Sequence, residues 1–185
     1  MSNKSWYAIF VITGQEVRVK DRLDKLLEGE TTFFVPKRKL KERKAGVWRD
    51  VLKTIYPGYV LVCGEIQLCD VPQINATNGV IRLLADENGP QKIFEKDIYV
   101  LEKLLNAEGI IDYSTAFIKD SKIVITDGPL VSMEGIVQSV DARKGRVKVK
   151  LRFFGEDRIV DLGIRLVSIA TDVNEEAKIE EIIER

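Results

Sequence analysis

The clearest chemical pattern in this sequence is a row of cations between Arg146 and Phe153, where every second residue is Arg or Lys and the others are apolar. Because successive side chains of a β-strand point to opposite faces, this alternation predicts one cationic face and one apolar face. Same-face neighbours would lie about 6.8 Å apart, close to the spacing of phosphates on a nucleic-acid strand. Structured RNA is recognised mainly through shape and phosphates, so the cationic face is a candidate RNA-binding surface. The exterior of any barrel must be polar, so a simple solvated face is the alternative.

The candidate RNA-binding set extends this row with cations expected in the neighbouring turn and strands. It comprises Lys122, Arg143, Lys144, Arg146, Lys148, Lys150, Arg152 and Arg158. Residues for catalysis or metal binding are scarce, because the chain has no histidine and only two cysteines, Cys63 and Cys69. Histidine is the commonest general base and metal ligand, and nothing resembles a nucleophile elbow or a phosphate-binding loop. We therefore predict no catalytic site, no metal and no cofactor, with both cysteines as small hydrophobic residues of strand regions.

Charge is distributed unevenly, although the formal net charge is zero with 29 cations and 29 anions. Residues 37–53 carry eight Lys or Arg against two acids, whereas residues 171–185 carry two cations against six acids. The zero total argues mildly against a dedicated nucleic-acid binder, but the local basic segments remain candidates for such contacts. No apolar run approaches the ~20 residues of a membrane span, and the first residues do not resemble a secretory signal. We expect a cytoplasmic protein with no membrane association.

These residues need elements to position them, and hydrophobic periodicity predicts alternating strands and helices in the first half. The predicted strands are residues 5–12, 31–35, 47–55, 59–63 and 80–84, and the predicted helices are residues 15–28, 70–77 and 95–106. The basic residues 37–53 should form a long hairpin that turns at Ala45-Gly46. The order of elements, β-α-β-β-β-α-β-α, predicts an α+β sandwich with helices packed on an antiparallel sheet.

The second half is predicted to be a small all-β unit. Residues 109–118 show weak periodicity, and we expect them to link a domain at 1–108 to one at 119–170. Short strands are predicted at residues 122–125, 135–141, 146–153, 158–161 and 166–169. Five short strands in about fifty residues fit a small barrel. Asp172 and Glu175 resemble a capping box, which predicts a short acidic helix within residues 171–185.

Several short segments form a series of motifs that runs through both halves. In the first half they are Trp6-Tyr7, Phe34-Val35-Pro36, Tyr56-Pro57-Gly58-Tyr59 and Asn78-Gly79-Val80. In the second half they are Asp127-Gly128-Pro129, Glu134-Gly135-Ile136-Val137 and the hairpin of residues 147–155, which together resemble a KOW motif. In this order the motifs resemble the NusG family of bacterial transcription elongation factors over nearly the whole chain. The resemblance implies an N-terminal NusG-type (NGN) α/β sandwich followed by a five-stranded KOW β-barrel.

The resemblance also implies a protein that catalyses no reaction and contacts RNA polymerase and DNA. The polymerase clamp helices would bind an apolar patch formed by Trp6, Phe10, Tyr56, Tyr59 and Leu61. The single-stranded non-template DNA would be contacted by Thr13, Gln15, Arg18, Thr77 and Asn78. A core position, a helix cap or a solvated side chain is the alternative for each of these residues. The basic hairpin would face upstream DNA or polymerase, or be a solvated loop.

Departures from the housekeeping pattern indicate a specialised subtype. The run Ile74-Asn75-Ala76-Thr77 resembles the paralogues RfaH and LoaP, and the acidic C-terminal extension is a further departure from the housekeeping type. The sequence Leu130-Val131-Ser132-Met133 stands where housekeeping members have a Phe-Ala-Gly-Phe-like loop near the Rho contact, so we expect weak or no Rho binding. The LoaP type implies processive antitermination, with a structured RNA hairpin as ligand of the KOW domain. The alternatives are a housekeeping NusG that couples polymerase to Rho or to a ribosomal protein, and a ribosome-associated KOW protein.

We expect a monomer whose barrel does not refold. RfaH-type proteins can convert this domain into a helical hairpin that masks the polymerase site. Here the alternating strands are rich in Val, Ile and Phe, which favour β-structure. The sequence therefore predicts a β-structured second domain in the isolated protein.

Overall fold

The first part of the molecule is built on a four-stranded antiparallel sheet of order β2-β5-β1-β6. The structure is a computed structural model that describes residues 5–27, 29, 31–119 and 122–167. Numbered in chain order, the four strands are β1 (Trp6–Val11), β2 (Thr32–Phe34), β5 (Tyr59–Cys63) and β6 (Val80–Leu83). Each strand was predicted to within one residue at either end, and the antiparallel arrangement is confirmed.

Three helices cover this sheet on two sides. They are α1 (Glu16–Leu26), α2 (Asp70–Ala76) and α3 (Glu95–Leu104). On one face, Val19 and Leu23 of α1 and Ile74 of α2 pack against Tyr7, Ile9 and Val11 of β1. On the other face, Ile98 and Leu101 of α3 belong to a second core with Ala8 and Leu61. The helical spacing of the apolar residues correctly predicted most of the buried sides of α1 and α3, although Leu26 of α1 is 41% exposed.

The basic segment forms the expected hairpin of β3 (Lys37–Lys44) and β4 (Val47–Thr54). Its two turn residues, Ala45 and Gly46, have φ values of 49° and 82°. Positive φ at both central residues is what a tight two-residue hairpin turn requires. β9 (Ile110–Ile111) extends this hairpin by parallel pairing with β3. A further small hairpin of β7 (Ala85–Asp86) and β8 (Gly89–Pro90) was not predicted.

The second part is a five-stranded sheet of order β11-β10-β14-β13-β12. Its strands are β10 (Ser114–Lys119), β11 (Lys122–Asp127), β12 (Val137–Asp141), β13 (Arg146–Phe153) and β14 (Glu156–Leu166). Neighbouring strands are antiparallel except β10 and β14, which are parallel. Among the described residues no ladder joins β11 to β12, so closure into a barrel remains a prediction.

The element bounds of the second part differ from the expected ones in two places. Much of the expected linker is structured, because β9 and β10 lie within residues 110–119. β10 was missed because its fully buried residues include Ser114 and Ala116, which give no hydrophobic alternation. β14 covers the strand predicted at 158–161 and continues to Leu166, whereas residues 168 and 169 of the strand predicted at 166–169 lie outside the described residues. The boundaries at 108 and 119 remain a prediction, and the predicted helix within 171–185 lies outside the described residues.

Candidate protein and nucleic-acid interfaces

The predicted polymerase-binding residues lie on or beside one face of the first sheet. The register between β1 and β5 places Ala8 opposite Leu61 and Phe10 opposite Tyr59, so these four side chains share one face of the sheet. We call this face, which also includes Trp6, the apolar face. The Phe10 and Tyr59 rings are 5.3 Å apart, and the Trp6 ring lies 5.4 Å from that of Phe34. Strand alternation therefore correctly grouped these side chains.

The second sheet covers part of this apolar face. The ring of Phe153 stacks on Tyr56 at 4.3 Å and meets Tyr59 edge-on at 5.2 Å. Leu61 is 1% exposed and Tyr56 is 5% exposed, so neither presents much surface to a partner in this arrangement. Burial, reinforced by the nearby Asp97 carboxylate, raises the pKa of Tyr56 above its ordinary value and keeps its hydroxyl neutral. Phe153 therefore covers Tyr56 and Tyr59 at this end of the apolar face.

Polar contacts between the two parts surround this aromatic stack. The Gly155 amide donates to Asp97 Oδ2 at 2.9 Å. At the other end of the contact, Arg146 Nη2 donates to the Lys41 carbonyl at 3.4 Å. Between them a cleft of about 250 Å³ is lined by Arg38, the aromatic stack and residues 158–160. None of these contacts was predicted, because each joins residues that are far apart in the sequence.

The hairpin and the connection to the second part also touch. Tyr113, just before β10, donates its hydroxyl hydrogen to Asp50 Oδ1 of the hairpin at 3.0 Å. Burial and this carboxylate together raise the pKa of Tyr113 to about 12. Gly163 of β14 lies close to both Tyr113 and the hairpin. A Cβ at this position would be 2.4 Å from the Tyr113 ring and 2.6 Å from the Lys39 carbonyl. Glycine is required at 163 by this close approach of two strands.

The predicted DNA-binding residues come from two segments, and several of them meet at the start of α1. A Cβ on Gly79, next to Asn78, would lie 2.9 Å from Gln15 Oε1, so the end of α2 adjoins the beginning of α1. Thr77 Oγ1 donates back to a carbonyl within its own helix at 3.0 Å, as expected for a residue that ends a helix. Thr13, Arg18 and Asn78 are exposed. The structure therefore brings both predicted segments to one edge.

Two residues at this edge were missed by sequence reasoning. Glu16 is 5% exposed, and its Oε1 accepts a hydrogen bond from the Gly58 amide at 2.8 Å. Burial alone would raise the pKa of Glu16, but backbone hydrogen bonds from Gly58 and two other amides lower it overall. Arg22 Nη1 donates to the Asn78 carbonyl, which ties α1 to the residue after α2. Its position four residues after Arg18, on the same helix face, was the available signal.

The cation row of β13 has the predicted geometry. Its four apolar residues are buried, whereas Lys148, Lys150 and Arg152 are exposed and Arg146 is half-buried. At one end of the row, four predicted RNA-binding residues line an open groove of about 620 Å³, namely Arg143, Lys144, Arg146 and Lys148. Asp141 and Asp161 also line this groove. The groove, defined by these six residues, is cationic but contains two acids.

The other end of the row is largely neutralised by acids of β14. Asp157 Oδ2 is 2.9 Å from Lys150 Nζ, and its Oδ1 is 3.7 Å from Arg152 Nε. Arg158 lies 3.1 Å from Glu156. The hydrogen bond from Lys150 lowers the pKa of Asp157, which therefore stays charged at neutral pH. The side chain of Lys122 lies outside the described part. The other seven predicted residues divide into a groove set (Arg143, Lys144, Arg146 and Lys148) and a paired set (Lys150, Arg152 and Arg158), and within the groove set Lys144 Nζ also lies 3.5 Å from Asp141 Oδ2.

The hairpin tip exposes apolar as well as basic side chains. Val47 and Trp48 are 54% and 46% exposed, and register places Trp48 opposite Arg43. The Arg43 guanidinium donates to the Gly46 carbonyl at 3.0 Å, which holds it at the turn. The predicted basic surface is therefore present with an exposed indole at its end.

Candidate metal and membrane features are limited. Among the described residues, no group of three or more Cys, Asp or Glu side chains is arranged to hold a metal ion. Within the same residues, no helix combines the length and apolarity that crossing a bilayer requires. Cys63 lies in β5, whereas Cys69 is exposed immediately before α2, so only Cys63 lies in a strand as predicted.

Comparison with known proteins gives consistent matches. Residues 4–102 match the family model described as "Transcription termination factor nusG". Proteins named "Transcription termination/antitermination protein NusG" are 30% identical in Chlamydia trachomatis, over 84% of this chain and 89% of the relative. In Pasteurella multocida the identity is 30% over 87% of this chain and 92% of the relative. A solved structure titled "Domain interaction in Thermotoga maritima NusG" matches with a TM-score of 0.52 and 19% identity, over 87% of this chain and 94% of that one.

Proposed function

This chain belongs to the NusG family of transcription termination and antitermination factors, and we propose that it is a specialised antitermination member that binds structured RNA. In this proposal the apolar face binds the clamp helices of RNA polymerase, and the edge formed by α1 and α2 contacts non-template DNA. The groove at the end of β13 binds a structured leader RNA. The protein acts in the cytoplasm as a monomer.

The RNA-binding part of this proposal rests on one observation, that β13 has its cations on one face and its apolar side chains on the other. Its four apolar residues are buried, so its four cations lie on the outer face. Within the described residues, no carboxylate lies within 4 Å of the charged atoms of Arg143 or Lys148 in the groove. Cations without a close carboxylate can bind phosphates without first breaking an ion pair. RNA binding should therefore concentrate in the groove set rather than in the paired set.

A gel-shift titration of the full chain against leader-region hairpin RNAs tests this division. Replacing Arg143 and Lys148, the two groove cations without a close carboxylate, with Ala should weaken binding strongly and make the logarithm of affinity less steep in salt by about one per lost phosphate contact. Replacing Arg152 and Arg158 with Ala removes the same charge from the same sheet, but from residues already paired with acids. Equal losses in the two double variants would contradict the division, and unchanged affinity in the first would contradict the groove as the RNA site.

Co-purification with RNA polymerase tests the apolar face. Phe10 is half-buried against Tyr59 and is predicted to contact the clamp helices. Phe10→Ala should reduce recovery of polymerase, whereas Tyr99→Ala, at an aromatic residue of α3 that is 48% exposed, should leave recovery largely intact. If the parent chain recovers no polymerase, a ribosome-associated role becomes the better account.

A housekeeping role is the second candidate, and the names of the relatives favour it. Curated relatives such as those of Chlamydia trachomatis and Pasteurella multocida carry the general name for termination and antitermination. The loop that differs from the housekeeping pattern begins with Leu130, which is fully buried and whose amide donates to Ser114 Oγ at 3.1 Å. Val131 is 43% exposed, so this loop offers a helicase partner less apolar surface than a Phe-rich one. A Rho pull-down with strong binding would favour the housekeeping role.

A further inference from the structure

A cation of the groove and a cation of the hairpin approach the same carboxylate oxygen. Arg146 Nη2 lies 3.9 Å from Glu42 Oε1, and Lys53 Nζ lies 3.2 Å from that same atom. The two cationic groups are therefore no more than about 7 Å apart, close to the ~6.8 Å that separates same-face neighbours along a strand. A chain of phosphates that leaves the groove at Arg146 would thus meet a cation of the first part within about one phosphate spacing.

The hairpin also extends in the right direction to continue the groove. At the start of β3, Arg38 lines a cleft with residues 158–160 of β14. Further along β3, the Lys41 carbonyl accepts a hydrogen bond from Arg146, which pairs near the other end of β14. β3 therefore follows β14 in the same direction. Beyond Lys41 the hairpin continues past Arg146, towards the turn of residues 142–145 that lines the groove.

The register of the hairpin shows which of its cations share the face that Arg146 approaches. Glu42 lies opposite Arg49, and Lys44 is two residues from Glu42, so these three side chains lie on one face. Lys44 and Arg49 are exposed. Within the described part of the chain, no carboxylate lies within 4 Å of their charged groups, because Glu42 approaches Lys53 and Arg146 instead. Both cations are therefore available to an anionic ligand.

We propose that the groove and this face of the hairpin form one continuous RNA-binding surface, in which Lys44, Arg49 and Lys53 extend the phosphate contacts of the second sheet onto the first part. This inference rests on the proposed RNA-binding function and assigns it residues of the hairpin. Structured RNA is recognised through its shape and its phosphates, which suits a surface built from two neighbouring elements. Glu42 lies at the junction, where its carboxylate repels a phosphate and weakens binding.

A gel-shift titration of the full chain against a leader-region hairpin RNA tests the contribution of the hairpin. Replacing Lys44 and Arg49 together with Ala should weaken binding roughly 30-fold at ~0.15 M salt and lower the salt slope by about two, since each phosphate contact supplies roughly fivefold there. Replacing Lys41 and Arg43 with Ala is the matched control, because it removes the same charge from exposed positions on the opposite face of the same hairpin. The control should bind within roughly threefold of the parent, since exposed charges beyond about 8 Å are screened.

A substitution at the junction should have the opposite effect. Glu42→Gln removes the carboxylate between Arg146 and Lys53 and should tighten RNA binding about threefold, the size of one charge repulsion across about 7 Å of water. Glu102→Gln removes the same charge from an exposed position on α3 and should bind like the parent. In the parent chain, amide chemical shifts of residues 44–49 and 142–148 should change together at the same RNA concentration.

The outcomes separate this surface from the RNA-binding function on which it rests. If the Lys44 and Arg49 variant binds like the parent and the amides of residues 44–49 do not shift, the continuous surface is wrong, while loss of binding on replacing Arg143 and Lys148 would still support the groove. If the parent binds no hairpin RNA, both ideas fail. Equal losses in the two hairpin variants would overturn the continuous surface, because total charge and not the face would then decide binding. A DNA duplex that binds as tightly as the RNA, with the same loss in the Lys44 and Arg49 variant, would overturn the assignment to RNA.

Discussion

Adding one methyl group at Gly163 should push the two parts of this molecule away from each other. The position lies in β14, where a Cβ would be 2.4 Å from the Tyr113 ring and 2.6 Å from the Lys39 carbonyl. Ordinary contacts between heavy atoms lie at about 3.5–4.0 Å, so a Cβ in Gly163→Ala requires a displacement of about 1 Å. The carbonyl belongs to the hairpin backbone and cannot rotate away. Separation of β14 from the hairpin relieves the strain more readily than unfolding of either sheet.

The size of the effect follows from overpacking. An inserted methyl group in a close contact costs about 1–3 kcal/mol. If separation relieves that strain, the ratio of closed to separated molecules falls by roughly 5- to 150-fold. The separated form then becomes visible through its loss of the hydrogen bond from the Gly155 amide to Asp97.

Hydrogen exchange at Gly155, measured on the full chain, is the appropriate assay. Gly163→Ala should exchange faster at this amide while the amides of β1 and β5 remain protected. Gly135→Ala is the matched control, because a Cβ at Gly135 meets nothing within 4 Å and its backbone is not in the left-handed region. If the Gly155 amide exchanged at the same rate in the two variants, a methyl group at position 163 would not separate the two parts, and the prediction would be refuted.

Three further predictions concern stability. Glu16→Gln should make the free energy of unfolding depend less on pH in acid. The pKa of Glu16 is lowered from 4.5, so the stability that its carboxylate supplies is present above that value and lost as pH falls below it. Denaturant titrations across that pH range measure this effect. If the hydrogen bond from the Gly58 amide were unimportant, the parent and the variant would lose the same unfolding free energy in acid. Tyr113→Phe should remove an alkaline loss of stability, because a pKa raised from 10.0 to about 12 stabilises the neutral hydroxyl below pH 10 and loses that stabilisation towards pH 12. Urea unfolding across this window checks it, and an unchanged alkaline limb would contradict it. Phe153→Ala should destabilise the protein by about 3–5 kcal/mol in urea, since this ring is 3% exposed. Phe94→Ala, at an aromatic residue that is 51% exposed, should cost about 1 kcal/mol at most, and equal losses would contradict a stabilising role for the stack.

Local patterns in the sequence were sufficient for most elements. The alternation from Arg146 to Phe153 correctly predicted a strand with one cationic and one buried face. Helical spacing correctly predicted most of the buried sides of α1 and α3, and the Ala45-Gly46 turn was placed correctly. These features depend on residues a few positions apart, whose side-chain directions follow from the strand and helix periods alone.

Features that join distant segments were not predictable in this way. β10 has Ser114 and Ala116 as fully buried residues, so its strand character depends on pairing with β14 about fifty residues later. Asp157 neutralises Lys150 and Arg152 only because of the register between β13 and β14. A sequence shows that a cation is present, but only register shows which carboxylate lies beside it.

The sequence by itself determined which side chains lie together on the apolar face and which cations share the outer face of β13. Only the tertiary structure decided that Phe153 covers Tyr56 and that Arg146 contacts the hairpin. Strand and helix periods are set by the local backbone, whereas contact between the two parts depends on the sum of many weak interactions between residues far apart in the chain.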